Sequence, residues 1–224
     1  MQQIQKYVIA IGVLLSQFSF SQLPKGFVYV KDNIPSIKVE LRYFGCNNFV
    51  GAPIEGYQRN VAILSEPAAN ALKHVQDELM PYNLSVMIYD SYRPQQAVNH
   101  FIKWAKDFND TICKQQFYPE VAKRNLFKEE YIASRSGHSR GSTLDVTLVD
   151  ASSCEPLDMG SCFDFFGKAS WVSNTNLTAQ QRANRMLLQT IMRKHGFRNY
   201  SKEWWHFTLL GEPYPKTYFD FEVN

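Results

Sequence analysis

Between Ser65 and Leu210 the chain alternates between stretches whose apolar residues recur at helical spacing and stretches with period two. Behind Ser65-Glu66-Pro67, residues Ala68, Ala71, Leu72, Val75 and Leu79 mark one helical face, with Pro67 suited to the first turn and Pro81 as the stop. Leu84, Val86 and Ile88 then alternate with Ser85, Met87 and Tyr89, which predicts a strand ending at Asp90-Ser91-Tyr92-Arg93. Pro94 opens a second helix with Val98, Phe101, Ile102, Ala105 and Phe108 on its apolar face, reaching about Asn109. Residues 118–133 read as a further helix. The stretch Ser134–Ser142 is polar and punctuated by Gly137 and Gly141, after which Leu144, Val146 and Leu148 alternate with Thr143, Asp145 and Thr147. Asp145 therefore projects from the polar face of a strand.

Thr178-x-x-Gln181 has the form of a capping box, opening a helix through Leu187, Leu188, Ile191 and Met192 that Gly196 ends. Trp204–Leu210 completes the set as a last strand. Helices and strands are mixed without regular βαβ alternation, which predicts an α+β fold with a largely antiparallel central sheet flanked by helices. No repeat, low-complexity tract or long flexible linker interrupts residues 22–224, so they are expected to form a single domain.

Composition narrows the classes without choosing one. Lys+Arg number 24 against 21 Asp+Glu, and a formal charge of +3 is too small for a nucleic-acid footprint. Aromatics make up 14% of the chain, enough for a sizeable core and an aromatic-walled pocket. At the N-terminus, Lys6 precedes the apolar run Tyr7–Leu15, and small residues at Ser19 and Ser21 suit cleavage before Gln22. Met1–Ser21 thus reads as a secretory signal peptide, its apolar run too short for a membrane span, and the mature protein is expected to be periplasmic or secreted without a stable membrane anchor. In an oxidising compartment Cys46, Cys113, Cys154 and Cys162 are expected to form structural disulfides. Cys154 and Cys162 close the shortest loop, and the absence of C-x-x-C argues against a zinc-thiolate site.

Of five histidines, three have ordinary readings: His74 and His100 lie within helices, and His195 occupies a last helical turn. His138 lies in Ser136-Gly137-His138-Ser139-Arg140-Gly141, seven residues before Asp145, and His206 lies in Glu203-Trp204-Trp205-His206. A catalytic zinc ion needs three ligands of the His/Asp/Glu kind and a free position for water, which His138, Asp145 and His206 could supply. A straight strand would place His138 and Asp145 on opposite faces, so the glycine-bracketed loop must fold His138 back. Glu203 is the candidate general base and should occupy the turn before the last strand. Arg93, at a strand-to-helix corner, could stabilise an oxyanion, bind a substrate carboxylate, or simply pair with Asp90.

Ser136-x-His138-x-x-Gly141-x-x-x-Asp145 and Glu203-Trp204-Trp205-His206 together resemble the zinc signature of the D-alanyl-D-alanine dipeptidases, the VanX-like metallopeptidases. The resemblance extends to Leu41-Arg42-Tyr43, Asp90-Ser91-Tyr92-Arg93-Pro94, Met159-Gly160-Ser161-x-Phe163-Asp164-Phe165 and the tail from Glu212 to Phe221. It implies a hedgehog-like metallopeptidase fold over residues 22–224 and one zinc ion per chain on His138, Asp145 and His206. It also implies Glu203 as base, Arg93 as transition-state cation, and Ser136 and Asp164 holding the ammonium of a free dipeptide near Tyr43. The implied activity is hydrolysis of D-Ala-D-Ala to two D-Ala, in wall turnover or dipeptide scavenging if the enzyme is exported. A D,D-carboxypeptidase acting on peptidoglycan stems and a non-catalytic zinc-bearing binding module are the alternatives. Thr143 stands where the family usually has Ala, which requires a partner for its hydroxyl.

Overall fold

Residues 23–224 are described by the computed structural model, so the expected export signal Met1–Ser21 lies outside them. In chain order the elements are β1 (Phe27–Tyr29), α1 (Val30–Asn33), β2 (Lys38–Val39), β3 (Ile63–Ser65), α2 (Glu66–Leu79), β4 (Leu84–Asp90), α3 (Gln95–Lys106), α4 (Lys114–Phe117), β5 (Thr143–Asp150), α5 (Ala179–Lys194), β6 (Phe197–Asn199) and β7 (His206–Leu209). Five strands form one sheet in the order β2-β4-β5-β7-β6, in which only β2 and β4 run parallel. β1 and β3 make a separate antiparallel pair. The fold is thus α+β with a largely antiparallel sheet, as the mixture of periods implied.

The sheet is buried on both faces. Leu144, Val146 and Leu148 point away from Asp145, and α2 and α5 pack against β4 and β5 with Leu72, Val75, Leu188 and Met192 fully buried. On the Asp145 side an aromatic group takes over, with Tyr43, Phe49, Phe101, Trp104, Phe163 and Phe166 in contact through neighbouring rings. Met87 and Thr147 on this side are buried too, so the period-two alternation in β4 and β5 separates two interiors rather than core from solvent. The capping box forms as written: the Thr178 hydroxyl accepts from the Gln181 amide, and the Gln181 side chain accepts from the Thr178 amide. Thr143 finds its partner in Thr208, with hydroxyl oxygens 2.9 Å apart.

Three expectations are corrected. Residues 118–133 do not form a helix. The Lys114 ammonium donates to the carbonyls of Tyr118, Pro119 and Val121, which takes those acceptors away from amides four residues on, and Glu130 adopts a φ of +64°. α3 ends at Lys106, leaving Phe108 outside the helix and 62% exposed. The last strand begins at His206, because Trp204 and Trp205 belong to the preceding turn.

The four cysteines are free thiols, so the expected disulfides are not found. Pro156 and Leu157 run back along β5 opposite Val149 and Leu148, carrying the chain from the Cys154 turn to Cys162 beside Tyr89 and Thr147. A few residues of strand amount to roughly 10 Å, beyond the Cα separation of about 7 Å that a disulfide can bridge. Among the described residues no helix is long and apolar enough to cross a membrane.

Candidate metal centre and active site

Asp145 lies in the central strand with a site residue opposite it on each side: Asp90 in β4 and His206 in β7. The first pairing depends on a bulge, since Ile88 faces Val146 while Asp90, two residues on, faces Asp145, one residue back. Tyr89 is the extra residue, and without the bulge it, rather than Asp90, would stand beside Asp145. His138 arrives from outside the sheet. Gly137–Arg140 forms one 3-10 turn, capped by the Ser136 hydroxyl accepting from the His138 amide and closed by Gly141 at φ +82°. A Cβ at Gly141 would stand 2.3 Å from the Phe27 ring, so glycine is required there for space as well as for backbone.

The turn delivers His138 against the strand as the sequence demanded. His138 Nε2 is 3.3 Å from His206 Nδ1 and 3.4 Å from Asp145 Oδ1, and His206 Nδ1 is 3.1 Å from the same oxygen. Ligand atoms about 2.0–2.1 Å from one tetrahedral ion lie about 3.3–3.4 Å apart, so this triangle has the size of one face of such a site. The His138 tautomer fits too. Its Nδ1 donates to the Ser91 carbonyl at 2.8 Å, leaving Nε2 with a lone pair facing inward. Asp145 Oδ1 makes no hydrogen bond despite having both imidazoles near it. A buried oxygen with no hydrogen-bond partner, set between two ring nitrogens at ligand spacing, fits a divalent cation.

The electrostatics agree with that assignment. Burial would raise the Asp145 carboxyl, but the two imidazoles outweigh it and hold the group well below the usual carboxylate range. Burial alone would lower His206; the Asp145 and Glu203 carboxylates close beside it push it up to about 9. A cation is therefore favoured at this point, whether a proton or a metal supplies it.

Glu203 occupies the turn before β7, where the sequence reading put it, with Oε2 3.3 Å from His206 Nδ1. Asn199 donates to the carbonyls of both Glu203 and His206, while Trp204 bonds Ser161 and Trp205 is buried against Phe163. The paired tryptophans are thus the anchors of the turn that presents Glu203. Of the readings open for Arg93, the structure shows the pairing with Asp90: Nε donates to Asp90 Oδ2 at 2.8 Å, and Nη2 lies 3.6 Å from Asp145. Asp90 in turn accepts from the Tyr57 hydroxyl at 2.6 Å. Burial raises the Asp90 carboxyl, opposed by Arg93 and His138. Tyr57 escaped the sequence reading, because it lies 33 residues from its partner Asp90 and in no motif.

Asp164 is buried, at φ +60°, with Tyr43 donating to its Oδ2 at 2.9 Å. Burial first, then Asp145, push its carboxyl well above the usual range. Tyr43, Arg93, Ser136, His138, Asp145, Asp164, Glu203 and His206 all line one cavity of about 470 Å³. All eight sequence-selected residues therefore meet at one place. The same walls include Tyr131, Arg135, Phe166 and Tyr200, which no motif had marked.

An α+β sheet with a His/Asp/His triangle, a neighbouring carboxylate and a fixed arginine around one cavity fits a metallopeptidase active site. The family model described as Peptidase_M15, D-ala-D-ala dipeptidase, matches residues 24–224, and the chain belongs to that family. It is 36% identical to the D-alanyl-D-alanine dipeptidase of Enterococcus faecalis, over 90% of this chain and 100% of that protein. The Streptomyces coelicolor D-alanyl-D-alanine dipeptidase is 35% identical over 88% and 98%. Among solved structures, a mutant of the vancomycin-resistance D,D-pentapeptidase VanY in complex with Zn(II) matches with a TM-score of 0.41 and 12% identity, over 79% of this chain and 88% of that one.

Proposed function

We propose that the protein hydrolyses the free dipeptide D-Ala-D-Ala to two D-Ala, with one zinc ion per chain held by His138, Asp145 and His206. The observation that carries the substrate assignment is Asp164: a buried carboxylate, bonded to Tyr43, in the same cavity as the metal triangle. Such a carboxylate is stabilised by an arriving ammonium and left unpaired by an acylated nitrogen. The reading therefore favours a dipeptidase over a D,D-carboxypeptidase acting on longer stems.

When bound, zinc supplies Lewis acidity, which makes a water more acidic and polarises a peptide carbonyl. Glu203 takes the proton of the attacking water and returns it to the leaving nitrogen, the turn having fixed its carboxylate beside His206. Arg93, oriented by Asp90 and Tyr57, stabilises the developing oxyanion. Asp164 and Ser136 hold the substrate ammonium, with Tyr43 fixing the Asp164 carboxylate. Retention of both Glu203 and Arg93 in contact with the triangle supports catalysis over a zinc-bearing binding module. If Met1–Ser21 directs export, the dipeptide met there comes from wall turnover or as food, which makes scavenging the natural role.

Rates on free and N-acetylated D-Ala-D-Ala, with zinc present, test the substrate assignment. Leaving a buried charge unpaired costs about 3–5 kcal/mol, so the acetylated compound should be cleaved at least roughly a hundredfold more slowly. Comparable cleavage of the two would overturn the dipeptidase reading in favour of a carboxypeptidase.

A further inference from the structure

A free dipeptide carries a charge at each end, and Asp164 answers only the ammonium. Its carboxylate, drawn into a cavity walled by Tyr43, Phe49, Phe101 and Phe166, loses hydration and needs a cation in return. Two arginines line the cavity, Arg93 and Arg135. Arg93 is already committed, bonded to Asp90 through Nε, within 3.6 Å of Asp145 through Nη2, and packed over the Tyr43 and Phe101 rings.

Arg135 is differently placed. Among the described residues it makes no ion pair, whereas Arg140 and Lys202 nearby in the fold are bound to Glu212 and Glu130. Its guanidinium lies 5.0 Å from the centre of the Tyr218 ring. A planar cation resting on an aromatic ring is held in place while its N–H edges stay available to an anion. It is exposed, one residue before Ser136 and three before His138, so it stands on the cavity wall beside the proposed ammonium and metal positions. The substrate carboxylate lies one residue beyond the bond to be cleaved, about 3.5 Å further along the chain.

We propose that Arg135 is a specificity-determining residue that pairs with the C-terminal carboxylate of the dipeptide, so that the site reads both ends of its substrate. The assignment rests on the dipeptidase reading above. It gives the enzyme a second means of rejecting longer peptides, because an extended or amidated C-terminus offers no charge for Arg135 to meet.

The test compares the native protein with Arg135→Gln on two substrates, D-Ala-D-Ala and D-alanyl-D-alaninamide, both with zinc present. A charge-assisted contact at a partly open wall predicts a KM for D-Ala-D-Ala roughly tenfold higher in the variant. On the amide the two proteins should share one KM, since the partner charge is already gone. Calorimetric binding of D-Ala-D-Ala to Glu203→Ala and to the Glu203→Ala/Arg135→Gln double variant should show the same roughly tenfold difference without turnover. An unchanged KM on the dipeptide, or an equal rise on dipeptide and amide, overturns the Arg135 assignment. If the native protein cleaves D-Ala-D-Ala and Arg135→Gln does so with native KM, that assignment alone falls; if the native protein leaves D-Ala-D-Ala intact, the dipeptidase reading falls as well.

Discussion

Asp145 is one carboxylate among four, with Asp90, Asp164 and Glu203, gathered around two imidazoles and the Arg93 guanidinium. Each of these groups would be costly to bury alone, and the arrangement is tolerable because every charge has a neighbour of the opposite sign or awaits one from a ligand. Glu203 is the member whose removal leaves the three ligands of the metal triangle in place, since it is not one of them, although its Oε2 lies 3.3 Å from His206 Nδ1. Glu203→Ala is therefore expected to lower kcat by roughly 10²–10⁴ while metal content, measured by elemental analysis, stays near that of the native protein. Undiminished turnover would remove Glu203 from the role of base. His138, Asp145, Glu203 and His206 were legible from the sequence because each lies in a short string with a chemical reason for its spacing. Tyr57, Arg135 and the dual hold of Asp90 on Arg93 and His138 were not, since they depend on contacts between segments whose meeting no local pattern announces.

At the level of elements, the site is made by irregularities in otherwise ordinary structure. The bulge at Tyr89 aims Asp90 at Asp145, the glycine-closed turn brings in His138, and the tryptophan-anchored turn presents Glu203. The C-terminal tail then braces this assembly: the Phe219 amide donates to the Ser139 carbonyl, Asp220 caps the Gln96 amide at the start of α3, and Phe221 stacks on Tyr92. Regular elements were readable because α2, β4, β5 and α5 carry complete hydrophobic patterns, with Pro67 in the first turn of α2 and a capping box on α5. Residues 118–133 misled because their buried residues, Tyr118, Val121, Leu126 and Ile132, are spaced three, five and six apart and pack from successive turns, the first held by Lys114, rather than from one helical face.

The turn after β5 offers a separate check on element energetics. The carboxylate of half-buried Asp150 accepts from the Ser152 and Ser153 amides and from both hydroxyls, chiefly the Ser152 hydroxyl, and its pKa is brought down to about 2. A carboxyl lowered on folding contributes stability above its unfolded value of about 3.9 and loses it as pH falls through the folded value. Native protein should therefore melt above Asp150→Asn at pH 7, and the gap in Tm should close between about pH 4 and pH 2. A gap independent of pH would show that the charge has no part in holding the turn.

Taken as a whole, the molecule uses a sheet with two interiors: one face is covered by α2 and α5, and the other carries the aromatic walls of the cavity. This separation explains why a chain with a nearly balanced charge can concentrate so many ionisable groups in one place without destabilising its core. The α+β class followed from the order of patterned segments, whereas the cavity's shape did not, because its walls come from loops such as 130–136 and from Phe166. The measurement that bears most directly on the metal centre is a crystal structure of the zinc-soaked protein with anomalous scattering recorded at the zinc edge. One peak is expected, about 2.0–2.2 Å from His138 Nε2, His206 Nδ1 and an Asp145 oxygen. A zinc peak elsewhere on the chain, with these three side chains unligated, would contradict the metallopeptidase site at its root.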